Sequence, residues 1–285
     1  MSNYQNQDVC LENCEKWRLH SSLNDVDYEI SIAYPPVWVT SKGPFPTVYL
    51  LDSDSCFGLV TNMVRMLNVT SELPAILIVG IGYPEKDLNS FANRRLQDFT
   101  PSVDTEYKKN WDSELELTSD GGGAARFLDF LRYELIPTIS KRYPVAKCER
   151  TLVGHSLGGL FSLYSLLQGP STFSNYIVGS PAIFWGDWVI WRYLENQSLK
   201  RNSFRGRVFI GIGGDEDKMP FHFPEGSRAN MGSISLINDV IKVSSIFNNY
   251  RFSDLEVDTK ILPNETHMSV VAPLINRGLR FVFHT

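Results

Sequence analysis

One stretch, Thr151-Leu-Val-Gly-His-Ser-Leu-Gly-Gly-Leu160, restricts what this chain can fold into more than any other. Thr151, Leu152 and Val153 form a short apolar run that reads as a fully buried strand. The run breaks at Gly154-His155-Ser156-Leu157-Gly158, and apolar residues then recur at helical spacing from Leu160 to Leu167. Strand, G-x-S-x-G and helix make a nucleophile elbow, a sharp turn that lifts the serine hydroxyl above the end of a sheet. Gly154 and Gly158 remove Cβ atoms that would clash in the turn, and Gly159 lets the helix sit close to neighbouring backbone. The new helix aims free N–H groups and its positive end at charge that develops nearby. The same letters also suit a tight βα turn in an unrelated doubly wound sheet, with Ser156 merely capping the helix. The remaining chain must separate the two.

It supplies a suitable sheet. Glu15–Ser21 and Asp27–Tyr34 alternate polar and apolar residues, which predicts an antiparallel hairpin closed by Pro35 and Pro36. Pro46–Leu51 is nearly continuously apolar, as a central strand covered on both faces should be. It stops at Asp52-Ser53-Asp54-Ser55, and Phe57–Leu67 then predicts a helix. Ala75–Gly82 reads as a second buried strand. From Tyr83 to Gly123 no clean period holds, and a connection that long inside a domain usually serves function. Residues 83–123 are therefore expected to shape a pocket, as are 219–230. Ala124–Ile136 predicts an amphipathic helix leading to the elbow strand. Beyond the elbow, Asn175–Ser180, Gly206–Gly213 and Glu256–Leu262 read as strands. Asp187–Leu194, Ser233–Asn248 and Met268–Phe281 read as helices. This alternation implies the α/β-hydrolase fold: a largely parallel central sheet, an N-terminal antiparallel hairpin, and helices on both faces. No linker or repeat divides residues 1–285, so a single domain is expected.

Composition excludes some partners. A formal charge of −5 offers no basic face to release phosphate counterions, so no nucleic acid is expected. No apolar run is long enough to span a bilayer, and the first residues lack the pattern of a secretion signal. No membrane partner is expected, and the chain reads as cytoplasmic. The four cysteines are too few for a disulfide framework, and Cys10 and Cys14 lack the further ligands a zinc site needs. Neither metal nor cofactor is expected.

An elbow serine needs a base and a carboxylate, in the chain order Ser, acid, His. Of five histidines, His267 fits, on the loop between the last strand and the closing helix. His20 has the wrong order, His155 is expected to point away from Ser156, His222 lies in a Pro- and Phe-rich loop, and His284 is next to the end. The acid should follow the strand ending at Gly213, where Asp215, Glu216 and Asp217 stand in a row. The backbone N–H of Leu157, directly after the nucleophile, is one expected oxyanion donor. The second falls on Ser53 or Asp54.

Four further stretches carry a resemblance. They are Leu50-Leu-Asp52, Arg95-Leu-Gln-Asp-Phe-Thr-Pro101, the segment 121–137 with Phe127-Leu-Asp-Phe130 and Glu134-Leu-Ile-Pro137, and Ser180-Pro-Ala-Ile-Phe-Trp185. With these, from about Trp17 to Phe281, the chain resembles the esterase D / enterobactin-esterase-like family of α/β-hydrolases, which includes siderophore trilactone esterases. The resemblance implies Ser156 as nucleophile and His267 as base, favours Glu216 as the acid, and puts the second oxyanion donor on Asp54. Ser53 stands where relatives commonly carry glycine, so the shape of that loop does not carry over. Some members lack an obvious acid, which leaves a Ser–His dyad as the alternative.

The expected activity is a serine-dependent carboxylic-ester hydrolysis through an acyl-enzyme. Its partner is a small-molecule ester, with a siderophore-type trilactone or another bulky multi-ester as the sharpest expectation. An acyltransferase using the same triad and a non-catalytic binding protein of this fold are the alternatives. Arg94, Arg95 and Trp111 are candidate substrate contacts for aromatic or anionic acyl groups. Alternatively, Arg95 and Asp98 pair to hold their loop.

Overall fold

The computed structural model describes residues 10–105, 107, 116–169, 171–198, 205–218, 235–249 and 254–284. The two alternating stretches form β1 (Cys14–Ser21) and β2 (Val26–Ala33), paired antiparallel. The apolar runs that follow form β3 (Phe45–Leu50) and β4 (Leu77–Gly82), with α1 (Ser53–Val69) between them. The elbow strand is β5 (Val145–His155); β6 (Asn175–Gly179), β7 (Arg205–Gly213) and β8 (Asp254–Leu262) come after it. All eight lie in one sheet, in the order β1-β2-β4-β3-β5-β6-β7-β8. β2 meets β4 antiparallel, and every neighbouring pair from β4 to β8 is parallel. This is the α/β-hydrolase arrangement that the strand pattern predicts.

Strand alternation sorts the core onto two faces. Val48, Leu50, Val153, Ile177 and Phe209 face α1 and the closing helix, Val271–Val282. Tyr49, Leu152, Tyr176, Val178 and Ile210 face the opposite side, where most of the helices pack. Each fully buried Phe or Leu there contributes roughly 1.5–3 kcal/mol. α2 (Leu88–Phe99) lies within the stretch that showed no clean period. Its apolar side consists of Leu88, Phe91, Leu96 and Phe99, and polar residues crowd the rest. The side chain of Asp87 caps it, accepting from the Ser90 N–H at 2.8 Å.

The amphipathic segment after Gly123 is longer than its pattern implied and is not one regular helix. α3 (Ala124–Phe130) passes through a π-helical turn, Leu131–Leu135, into α4 (Ile136–Arg142). Pro137 explains the widening: it has no N–H to donate one turn back, and its ring crowds that carbonyl. α5 (Leu157–Gln168) follows the elbow, α6 (Trp185–Ser198) follows β6, α7 (Leu236–Asn249) precedes β8, and α8 is the closing Val271–Val282. α6 opens on a left-handed turn, with φ of 58°, 58° and 56° at Gly186, Asp187 and Trp188.

In the last turn of α2, Asp98 is buried against two tyrosines. The Tyr28 and Tyr83 hydroxyls donate to its Oδ2 at 2.8 and 3.0 Å. Burial pushes this carboxyl up to about 6, and the two hydroxyls only partly oppose that shift.

Candidate active site

The ends of β5, β6, β7 and β8 lie side by side, and each leads to one part of the site. After β5 comes Ser156, with φ 60° and ψ −118°, a sparsely populated conformation for a side chain other than glycine. The turn is held on three sides: the Ser156 N–H donates to the Gly179 carbonyl at 2.9 Å, and its own carbonyl accepts from Leu160 and Ala182, each at 3.0 Å. A Cβ at Gly154 would stand 2.2 Å from the Gly158 carbonyl oxygen, and one at Gly159 2.5 Å from that of Gly179. Those two glycines therefore permit the elbow. Leu157 opens α5, where first-turn N–H groups have no intrahelical acceptor.

After β7 come the three acidic residues, and their surroundings differ. Glu216 is fully buried; its Oε2 lies 2.8 Å from His267 Nδ1. Its Oε1 accepts from Ser180 Oγ at 2.5 Å and from the Gly213 N–H at 2.8 Å. Asp215 instead pairs with Lys218 at 2.6 Å, and Asp217 accepts from Ser235 Oγ ahead of α7. Ser180, the residue after β6, thus helps to seat the carboxylate. Its place at the head of Ser180–Trp185 was visible in the sequence, but its role was not.

His267 and Ser156 share a cavity of about 290 Å³. His155 faces the same space, contrary to the expectation that it points away. β5 alternates, so His155 falls on the same face as Val153, toward α8. Its ring lies 4.6 Å from that of His267, centroid to centroid, at 42°. Burial, reinforced by the neighbouring His267 and Arg95, pushes His155 down to about 3 and so keeps it neutral.

The turn after β3 forms another wall. Asp52 takes the left-handed conformation, φ 54°, and Ser53 does not, so a glycine is not required at Ser53. The N–H groups of Ser55 and Cys56 both return to the Asp52 carbonyl, at 3.0 and 3.2 Å. Ser53 and Asp54 remain as donors of that turn. The Asp54 side chain points away from the cavity, accepting from the Tyr83 N–H at 3.0 Å and from Lys86 at 2.6 Å. Arg95 lines the cavity but is clamped to Asp52 by two hydrogen bonds of 2.6 and 2.9 Å. Its partner is therefore Asp52 and not Asp98. Arg94 pairs with Glu85 at 3.5 Å outside the cavity. Trp111, His222 and residues 219–230 lie outside the described residues. A larger groove of about 890 Å³ adjoins the cavity and shares Ser55 and Phe91 with it, but it touches neither Ser156 nor His267.

Among the described residues no cluster of three His, Cys, Asp or Glu is arranged to hold a metal ion. No described helix is long and apolar enough to cross a membrane.

Comparison with known proteins gives the family of the chain. The Esterase family profile matches residues 21–229. The ferri-bacillibactin esterase BesA of Bacillus subtilis is 32% identical over 275 residues, covering 94% of this chain and 89% of that protein. A siderophore triacetylfusarinine C esterase of Aspergillus fumigatus is 26% identical, covering 96% and 94%. The crystal structure of the BES protein of Bacillus cereus superposes with a TM-score of 0.82 at 27% identity and covers 100% of both chains.

Proposed function

This chain belongs to the Esterase family, and from that premise we propose that it hydrolyses a bulky, multiply esterified siderophore-type substrate through Ser156, His267 and Glu216. The observation that carries the catalytic part is the 2.8 Å contact between His267 Nδ1 and Glu216 Oε2, on a histidine that shares one cavity with the elbow serine. Glu216 fixes the Nδ1–H tautomer, which leaves His267 Nε2 to accept the Ser156 proton. Ser156 Oγ attacks the ester carbonyl, and the carbonyl oxygen becomes an oxyanion. The backbone N–H groups of Leu157 and Asp54 bind it, worth roughly 3–4 kcal/mol of barrier each. His267 then returns the proton to the departing alkoxide, which leaves an acyl-Ser156 ester. Water, deprotonated by the same nitrogen, releases the acid and restores the hydroxyl.

The substrate class rests on relatives that are a ferri-bacillibactin esterase and a siderophore triacetylfusarinine C esterase, each matched over nearly its whole length. The adjoining groove suits it, since a small ester would leave that space unused. We take the chain as one domain, because all eight strands share one sheet. A cytoplasmic setting belongs to the same proposal: all four cysteines are free thiols, as a reducing compartment maintains them. The test compares kcat/KM for a ferric catecholate trilactone, a ferric trihydroxamate triester, an aryl acetate and a long-chain acylglycerol. The siderophore esters should exceed the acylglycerol by at least tenfold. A preference for the acylglycerol would remove the substrate class while leaving the esterase assignment in place.

A further inference from the structure

We propose that His155 is a positioning residue for His267: its ring packs against the ring of the base, limits how that ring can tilt, and keeps water from the side it covers. The inference rests on the catalytic reading above. Three observations carry it. The ring centroids lie 4.6 Å apart with the planes tilted by 42°, a direct ring-on-ring contact. Strand β6 makes room for the lower ring, because His155 is paired with Gly179 in register, and a Cβ there would come 2.8 Å from His155 Nδ1. Neither ring nitrogen of His155 has a hydrogen-bond partner within ordinary distance, and the polar approach of the His267 backbone is the weaker part of the contact.

Two walls then define the base. Glu216 meets the edge of His267 at Nδ1, which sets its tautomer. His155 packs against the ring itself. Among the described residues, the other titratable side chains that line this cavity include Arg95, tied to Asp52, and Cys56, whose thiol burial pushes up to about 11. Neither can take a proton from His267 or supply one in the working range. A second protonatable imidazole in contact would be a liability if it charged, since imidazolium beneath imidazolium is repulsive. The depressed basicity of His155 removes that conflict, and the proton in the cycle stays on His267.

The test uses the full-length enzyme, a neutral aryl acetate, and the variants His155→Ala, His155→Gln and His155→Phe. Active-site serine is counted with a fluorophosphonate so that rates refer to folded sites. His155→Ala and His155→Gln should lose at least tenfold in kcat with KM changed less than twofold. Their pH–rate midpoint should rise, because water reaching the ring stabilises the imidazolium. His155→Phe, which keeps a flat neutral face, should stay within threefold of wild-type kcat with an unmoved midpoint. Wild-type kcat in both Ala and Gln variants would overturn the proposal. Rescue by Gln and not by Phe would also overturn it, by assigning the role to a ring nitrogen. Should His155→Ala fail to fold, the Gln and Phe pair decides on the same criteria. Failure of the underlying catalytic reading would appear separately, as a Ser156→Ala variant that still turns over.

Discussion

Replacing Arg95 by Met tests whether an arginine that lines the catalytic cavity recognises substrate or braces the fold. The guanidinium makes two hydrogen bonds to Asp52, with the side chains 19% and 11% exposed. Removing one partner from a buried pair costs about 3–5 kcal/mol, because the other charge stays behind unpaired. Residual solvent access lowers this to about 2–3 kcal/mol. For a domain of this size each kcal/mol shifts Tm by about 2–4 °C, so a fall of about 4–12 °C is expected. The catalytic effect should follow from position. Asp52 sits in the left-handed turn that presents Ser53 and Asp54, so a loosened Asp52 misplaces the proposed oxyanion donor. kcat should therefore drop for neutral and anionic esters alike. Thermal unfolding combined with a double-mutant cycle against Asp52→Asn measures the coupling, expected at about 1–3 kcal/mol. An Arg95→Met enzyme with unchanged Tm and a raised KM for anionic esters alone would refute this account and make Arg95 an anion receptor.

Ser156→Ala should abolish ester turnover and leave Tm close to wild type, and adding His267→Ala should cost little more, because the two act as one unit; single-turnover assays check both. Glu216→Gln should lose up to ~10⁴ in kcat. Three donors converge on its carboxylate, and an amide must turn its NH₂ toward one of them; Asp215→Asn and Asp217→Asn, which face Lys218 and Ser235, should stay within a few-fold. Asp98→Asn should raise Tm at pH 8 and not at pH 4. The folded carboxyl titrates at about 6 against 3.8 unfolded, so the folded protein keeps a proton in that window that the unfolded chain has released. The carboxylate therefore costs stability as pH rises through the window, levelling at about 3 kcal/mol. Identical Tm changes at both pH values would contradict that linkage.

The parts with local signals were legible in the chain. The elbow strand, the glycines around Ser156 and the alternation of β1 and β2 each follow from residues next to one another. So does the placing of His267 after the last strand. The choice among Asp215, Glu216 and Asp217 was not legible, because it depends on how a turn after β7 meets the residue after β6 and the loop after β8. Composition could not separate three neighbouring carboxylates. The ion-pair partner of Arg95 was not legible for the same reason: Asp52 lies 43 residues away, while Asp98 is one helical turn along the chain. α2 is a different case. Its Asp87 cap and its widely spaced apolar side were present in the sequence but diluted by asparagines and arginines. His155 could have been placed by counting along β5 from Val153, two residues to the same face.

The order of strands has a further consequence. Among the described strands β8 stands at the border of the sheet, hydrogen-bonded to β7 alone, and the loop that leaves it carries His267. Ser156, by contrast, is rooted in β5, with neighbours on both sides. The two halves of the reaction thus belong to regions of unequal local stability. Border strands exchange their amide hydrogens through partial openings that leave the central strands intact. In mild denaturant, activity should disappear in a subglobal step in which β8 and its loop detach, while the β5 amides remain protected. Inactivation and unfolding are then separate events, and the histidine, not the serine, sets how much perturbation the enzyme tolerates before it falls silent.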